Sequence, residues 1–240
     1  MSKNSVIEIA NVDPREAEKF DALAARWWDP EGDFRPLHDI NGPRVAFIEA
    51  RGELGGQRVL DVGCGGGLLC EALKERGAEV MGIDVADKAL GVARLHAAEV
   101  GLDIEYRKIT AEALSVEQAE AFDRVCCLEM LEHVPDPAQT VRACAALCRP
   151  GGNVFFSTIN RSPLAWSLAI VGAEYVLRLL PRGTHRYDRL IRPEELAAAC
   201  RQSGLDVREI TGMHYNPFSR TVRIGGAPRV NYLLHARKPD

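Results

Sequence analysis

No stretch of this 240-residue chain is apolar for the roughly 20 residues that a bilayer-crossing helix needs. The most apolar segment begins at Leu164, and Glu174 and Arg178 interrupt it well short of that length, so a membrane span is excluded. Residues Met1 to Glu8 lack the apolar core of a secretory signal, and a cytoplasmic location is expected. Positive charge is not in surplus: 30 Lys and Arg stand against 34 Asp and Glu, a net charge of -4 that offers nucleic acid no general attraction. The seven cysteines form no second pair at zinc-finger spacing beside Cys144 and Cys148, and an odd number leaves at least one unpaired. Cysteines inside apolar runs behave as small hydrophobes, and a reducing compartment fits them. Internal repeats and low-complexity tracts are also missing.

What the sequence does contain is alternation. A helix is expected from Pro14 to Ala25, a loop from Arg26-Trp27-Trp28-Asp29-Pro30, and a helix from Ile40 to Ala50 with Pro43 near its start. From Arg58 onward short apolar runs alternate with longer amphipathic ones. Strands are expected at Arg58 to Val62, Glu79 to Ile83, Ile104 to Lys108, Phe122 to Leu128 and Asn153 to Ser157, with helices from Leu68 to Arg76, Asp87 to Val100 and Pro137 to Leu147. An apolar insertion spans 160–185. A helix from Pro193 to Ser203 and strands near Asp206 to His214 and Arg229 to Arg237 complete the pattern. The alternation predicts a single α/β domain over residues 1–240: a Rossmann-like, doubly wound, mainly parallel seven-stranded sheet with helices on both faces and a helical cap in residues 1–52.

The run Val59-Leu60-Asp61-Val62-Gly63-Cys64-Gly65-Gly66-Gly67 joins the first strand to a helix. Such a junction aims backbone N–H groups and a helix dipole at a ligand, and glycine lets that ligand approach closely. In a dinucleotide fingerprint a third glycine would fall where Leu68 stands. The Gly63-x-Gly65-x-Gly67 spacing instead resembles class I S-adenosylmethionine-dependent methyltransferases. Asp61 would repel a pyrophosphate, yet it can hold the amino group of a methionine moiety, directly or through water. Asp84, 21 residues after Gly63 at the end of the second strand, is placed to accept from both ribose hydroxyls. Thr110-Ala111-Glu112-Ala113-Leu114 matches the loop that borders adenine in these enzymes, with Thr110 where Asp is common; adenine contacts are expected from Thr110 and Ala111.

Arg26-Trp27-Trp28-Asp29, Phe34-Arg35-Pro36-Leu37-His38, the glycine run, Glu129-Met130-Leu131-Glu132-His133-Val134-Pro135-Asp136-Pro137 and Gly212-Met213-His214-Tyr215-Asn216-Pro217 together resemble the bacterial ubiquinone-biosynthesis O-methyltransferases. The likeness runs from about Ile9 to Lys238, with the tryptophan pair, a His214-Tyr215-Asn216 turn and the apolar insertion as its more specific marks. It implies methylation of phenolic hydroxyls on polyprenylated rings, 2-polyprenyl-6-hydroxyphenol and 3-demethylubiquinol. It also implies cofactor contacts at Arg44, Gly63, Asp84 and Leu128, where the family often has Met. Arg44 reads as a solvated helix-end cation by itself; in the family's setting it forks onto the methionine carboxylate.

Methyl transfer from a sulfonium is a displacement that needs alignment and exclusion of water, while the attacking hydroxyl must also lose its proton. Glu129, Glu132 and His133 follow the fourth strand at the carboxyl edge of the sheet, where ligands bind in doubly wound folds. Three readings stand for them: His133 as general base, the trio as ligands for Mg²⁺ or Zn²⁺, or a structural role in the following loop. Trp166, Tyr175, Arg178 and Arg182 among leucines and valines suit residues 164–180 to the lipid interface, peripheral on the inner face of the cell membrane; a lid over the enzyme's own core is the alternative. A methyltransferase for another hydroxylated aromatic or lipid, and a non-catalytic scaffold among other ubiquinone-biosynthesis enzymes, are the competing functions.

Overall fold

The computed structural model describes residues 11–167 and 187–240. Five strands run parallel, β1 (Arg58–Val62), β2 (Glu79–Asp84), β3 (Glu105–Lys108), β4 (Phe122–Leu128) and β5 (Cys148–Ile159), followed by β6 (Asp206–Asn216), β7 (Thr221–Ile224) and β8 (Asn231–Arg237). They form one sheet in the order β3-β2-β1-β4-β5-β8-β6-β7. β8 is antiparallel to both β5 and β6, and β7 is antiparallel to β6. The chain turns from one side of the sheet to the other between β1 and β4, whose carboxyl ends therefore border a crevice.

Helices α1 (Pro14–Leu23) and α2 (Arg35–Glu49) precede the sheet. α3 (Leu68–Lys74), α4 (Asp87–Glu99), α5 (Ala111–Glu117), α6 (Pro137–Leu147), a helical turn α7 (Pro163–Ala165) and α8 (Pro193–Gln202) follow between or after the strands. Period-two alternation sends successive strand side chains to opposite faces. Leu60, Val125, Cys127, Val154 and Phe156 pack with α5, α6 and α8, while Val59, Cys126, Leu128 and Phe155 pack with α2, α3 and α4. Both faces are buried, which explains why Val125 to Leu128 of β4 read as an unbroken apolar run. All seven cysteines are buried and free, and Cys144 and Cys148 lie in one core cluster, as their apolar settings suggested.

Four departures from expectation matter for the site. First, the sheet has eight strands: β7 is a four-residue edge strand, and His214, Tyr215 and Asn216 pair with it as the end of β6 instead of forming a turn. Second, α2 starts at Arg35, five residues early, with Pro36 in its first turn and Pro43 accommodated inside it. Third, the expected adenine loop is α5, with the Thr110 hydroxyl accepting from Ala113 N–H at 3.2 Å as its N-cap. Fourth, the last strand begins at Asn231, not Arg229. Of the apolar insertion, Leu164 and Trp166 are exposed and Ala165 is buried; its remainder from Leu168, including Tyr175, Arg178 and Arg182, lies outside the described residues.

Candidate active site

Between β1 and α3 the backbone passes through left-handed conformations at Gly63 (φ 74°), Gly65 (φ 51°) and Gly67 (φ 90°). Gly63 N–H and Cys64 N–H both donate to the Ile83 carbonyl, at 2.8 and 3.0 Å, which ties the loop to β2. Conformation is one reason for glycine here; crowding is the other. A Cβ on Gly65 or Gly66 would collide with the Trp27 indole, and one on Gly63 with Met130. Trp27 is buried and stacked on Phe34 at 4.0 Å between centroids, and Trp28 donates from Nε1 to the Gly66 carbonyl at 3.0 Å while stacking on His96.

Over this loop opens a cleft continuous with solvent. Its floor includes Asp61, Gly63, Gly65, Asp84 and Leu128, and its rim includes Thr110, Ala111, Glu129 and His133. Asp84 is fixed by two backbone donors, Gly65 N–H to Oδ2 and Ala86 N–H to Oδ1, each at 2.8 Å. Asp61 is buried in β1 and accepts from Cys70 Sγ at 3.3 Å. Burial pushes its pKa up to about 6, against the pull of Cys70 and the Arg44 guanidinium.

Arg44 comes from α2 and is also buried in the cleft wall. Burial lowers its pKa, partly offset by the charges of Glu129 and Asp61. Its Nη2 donates to Asn41 Oδ1 at 3.2 Å, but its Nε has no partner and no carboxylate comes within ion-pair distance among the described residues. A buried guanidinium with an unused donor is costly unless an anion completes it. With the backbone of Gly63 and Gly65 lining the same cleft, it makes a cradle suited to an amino acid carboxylate.

Glu129 has φ 55°, a strained value for a residue with a side chain, and directly follows β4. Ser157 Oγ donates to its Oε1 at 2.7 Å and Asn231 Nδ2 to its Oε2 at 3.0 Å. Glu132 is buried and does not line the cleft; Thr158 Oγ1 donates to its Oε2 at 2.8 Å and its Oε1 has no partner. Burial and the Glu129 charge push its pKa to about 8, so it is mostly neutral at pH 7. His133, on a short helical turn, meets Glu16 of α1 through Nδ1 at 2.9 Å.

A family model described as a methyltransferase domain matches residues 35–210. The ubiquinone biosynthesis O-methyltransferase of Bordetella avium is 58% identical over 229 residues, covering 95% of each chain. That of Pseudomonas fluorescens is 55% identical over 232 residues, covering 97% of this chain and 100% of the relative. The chain belongs to the ubiquinone-biosynthesis O-methyltransferase family. In fold it is similar to a solved magnesium protoporphyrin IX methyltransferase from Synechocystis PCC 6803 with bound SAH, at TM-score 0.69 and 20% identity over 94% of this chain and 99% of that one. A [4+2]-cyclase shares the fold at TM-score 0.61 and 18% identity, over 82% and 81% of the two chains, so the fold alone does not name the reaction.

Within this O-methyltransferase the residues expected at the cofactor site gather in one cleft: Arg44, Asp61, Gly63, Gly65, Asp84, Thr110, Ala111 and Leu128 all line it. Gly67 does not; it is the N-cap of α3, packed under the Tyr106 hydroxyl. The trio expected to act on the substrate side is not brought together. Glu129 faces Ser157 and Asn231, Glu132 is turned into the core, and His133 faces the cap, so the three do not converge as ligands for a divalent ion. No cluster of three such side chains placed to hold a metal ion exists among the described residues. The glutamates point apart because each is claimed by a different neighbour, Glu132 by Thr158 of β5 and Glu129 by Ser157 and Asn231 of β5 and β8.

Sequence reasoning missed the cap's own contributions. Asn11 is buried, and its side chain donates to Glu112 Oε1, the Asp136 carbonyl and Thr140 Oγ1 while accepting from Asp136 N–H, all within 2.9 Å. Glu16 and Phe20, one turn apart on α1, line the cleft beside His133. The only local sign was Asn11-Val12-Asp13-Pro14, a helix start whose Asp13 caps α1. A Gly65→Ala change should cost about 1–3 kcal/mol in strain and push Trp27 off the loop. Tryptophan emission is expected to shift to the red and S-adenosylhomocysteine affinity to drop at least about tenfold; unchanged emission and affinity would contradict this packing.

Proposed function

We propose that this O-methyltransferase transfers the methyl group of S-adenosylmethionine to phenolic hydroxyls of polyprenylated ubiquinone precursors, 2-polyprenyl-6-hydroxyphenol and 3-demethylubiquinol. The supporting observation is the buried, uncompleted Arg44 guanidinium beside a side-chain-free glycine loop, in a chain 55–58% identical to ubiquinone biosynthesis O-methyltransferases along nearly its whole length. When bound, the cofactor supplies an electrophilic methyl on a sulfonium. Arg44 holds its carboxylate, Asp61 its ammonium and Asp84 its ribose hydroxyls, while Thr110 and Ala111 border the adenine and Leu128 contributes its backbone.

His133 is the general base in this reading, since it lines the cleft and an imidazole nitrogen can accept the hydroxyl proton there. Glu129, held from both oxygens, faces the same space and orients the polar end of the substrate ring. Turnover of a short-tailed polyprenyl catechol with S-adenosylmethionine tests the function. A wild-type chain without turnover would sink it, and a His133→Ala variant with wild-type turnover would remove that residue from the mechanism.

Asp61 gives a pH dependence. Its carboxylate must be charged to hold an ammonium, and its pKa near 6 in the empty cleft means that binding must expel a proton below that value. Cofactor affinity, measured by calorimetry from pH 5 to 7.5, should be flat above about 6.5 and fall by up to about tenfold per unit below 6. An Asp61→Asn variant should bind more weakly with no such fall; a wild-type affinity independent of pH would rule out this role.

The polyprenyl tail favours delivery from a lipid phase. No helix among the described residues is long and apolar enough to cross a membrane, but Leu164 and Trp166 are 43% and 47% exposed where the apolar insertion begins. Residues 164–180 serve in this reading as a peripheral contact with the inner face of the membrane. Sedimentation with liposomes should carry down the full chain; a folded variant lacking those residues that still co-sediments would count against it.

A further inference from the structure

His133 is held by the cap. Glu16 Oε2 lies 2.9 Å from its Nδ1, and the Phe20 ring meets the imidazole edge-on at 5.1 Å. Residues four apart on a helix share a face, so these two side chains bracket the ring from one side of α1. A carboxylate only accepts, which places a proton on Nδ1 and makes Nε2 the basic nitrogen. Burial alone would raise the Glu16 pKa, yet hydrogen bonds from His133 and Lys19 hold it at about 2, so the carboxylate is charged throughout the neutral range. The cap segment is itself anchored at its start: Asn11 ties it to α5 and α6, and Arg189 Nη2 donates to Asp13 at 2.9 Å. Asp13, Glu16, Ala17 and Phe20 also line the cleft, so the segment that orients the imidazole is also part of the cleft wall.

The geometry points to Glu16 as a positioning residue for methyl transfer: carried on the cap helix, its carboxylate fixes the tautomer and direction of His133, so the base is assembled only when the cap lies over the cofactor. In the step it serves, the hydroxyl proton passes to Nε2 as the new O–C bond forms, and the electron pair of the breaking C–S bond returns to sulfur. Glu16 stabilises the imidazolium that results without itself taking the proton. The coupling gives the enzyme a safeguard, since an open cap leaves the phenol without its oriented base. This inference rests on the reading of His133 as base.

The experiment measures kcat, KM for both substrates and S-adenosylhomocysteine affinity for the full-length wild type, Glu16→Gln, Glu16→Asp, His133→Ala and the Glu16→Gln/His133→Ala double variant. Thermal unfolding monitored by circular dichroism checks that each is folded. Glu16→Gln is nearly isosteric and should lose kcat on the order of 10²-fold, with KM and S-adenosylhomocysteine affinity within about twofold. Glu16→Asp should recover part of that loss, and the double variant should be no slower than His133→Ala. Near-normal kcat in Glu16→Gln, alongside a slow His133→Ala, would overturn the inference and leave the base in place. Additive losses in the double variant, or a rise in KM with weakened S-adenosylhomocysteine binding at unchanged kcat, would overturn it too, by making Glu16 an independent clamp. Wild-type turnover in His133→Ala would remove the base and the inference together.

Discussion

The indole of Trp27 packs against the backbone of Gly65 and Gly66, and a side chain at either position would claim the same space. That exclusion organises the molecule around it. The loop can present bare backbone to a ligand only because β2 fixes it from below through the Ile83 carbonyl and the cap covers it from above. Stacking of Trp27 on Phe34 contributes about 0.5–1.5 kcal/mol beyond simple burial, and the Trp28 bond to the Gly66 carbonyl ties the cover to the loop. Conformation, crowding and ligand access thus make one demand of the same two residues, Gly63 and Gly65.

Charge at the crevice follows a second constraint. Asp61 and Glu132 are both buried, with pKa values pushed to about 6 and 8, but their surroundings differ. Asp61 sits in the cleft wall with Arg44 close enough to influence it, so a cationic ligand can draw it into its charged form. Glu132 is closed off in the core with one oxygen bound by Thr158, and it stays mostly protonated near neutrality. Two buried carboxylates, one on β1 and one in the helical turn after β4, therefore differ in duty because one is open to a ligand and the other is not.

The central strands were legible in the sequence because both faces of the sheet are buried, leaving short apolar centres at Val59-Leu60 in β1, Val125 to Leu128 in β4 and Val154 to Phe156 in β5. β7 was not legible: four residues of alternating exposure at an edge carry too little pattern. α5 was legible in principle, since Thr110 heads a run of good helix formers, but the resemblance to an adenine-bordering loop obscured it. Most of the residues expected at the cofactor site meet in one cleft because loop and strand ends follow chain order. The partners of Glu129, Glu132 and His133 were hidden because they lie 28, 26 and 117 residues away in the sequence, where no local period can connect them.

The far edge of the sheet reaches back to the start of the chain. Tyr215 donates to Asp39 Oδ2 at 2.7 Å, and Arg220 forms ion pairs with Asp39 and Glu31, joining the β6–β7 hairpin to the segment that enters α2 and carries Arg44. During synthesis the glycine loop, Asp61 and Asp84 emerge from the ribosome long before Arg220 does. A growing chain therefore owns every residue expected at the cofactor site while the helix bearing Arg44 still lacks its brace. Order of translation becomes a timer: the binding cleft reaches its finished form only when the last strands have been made.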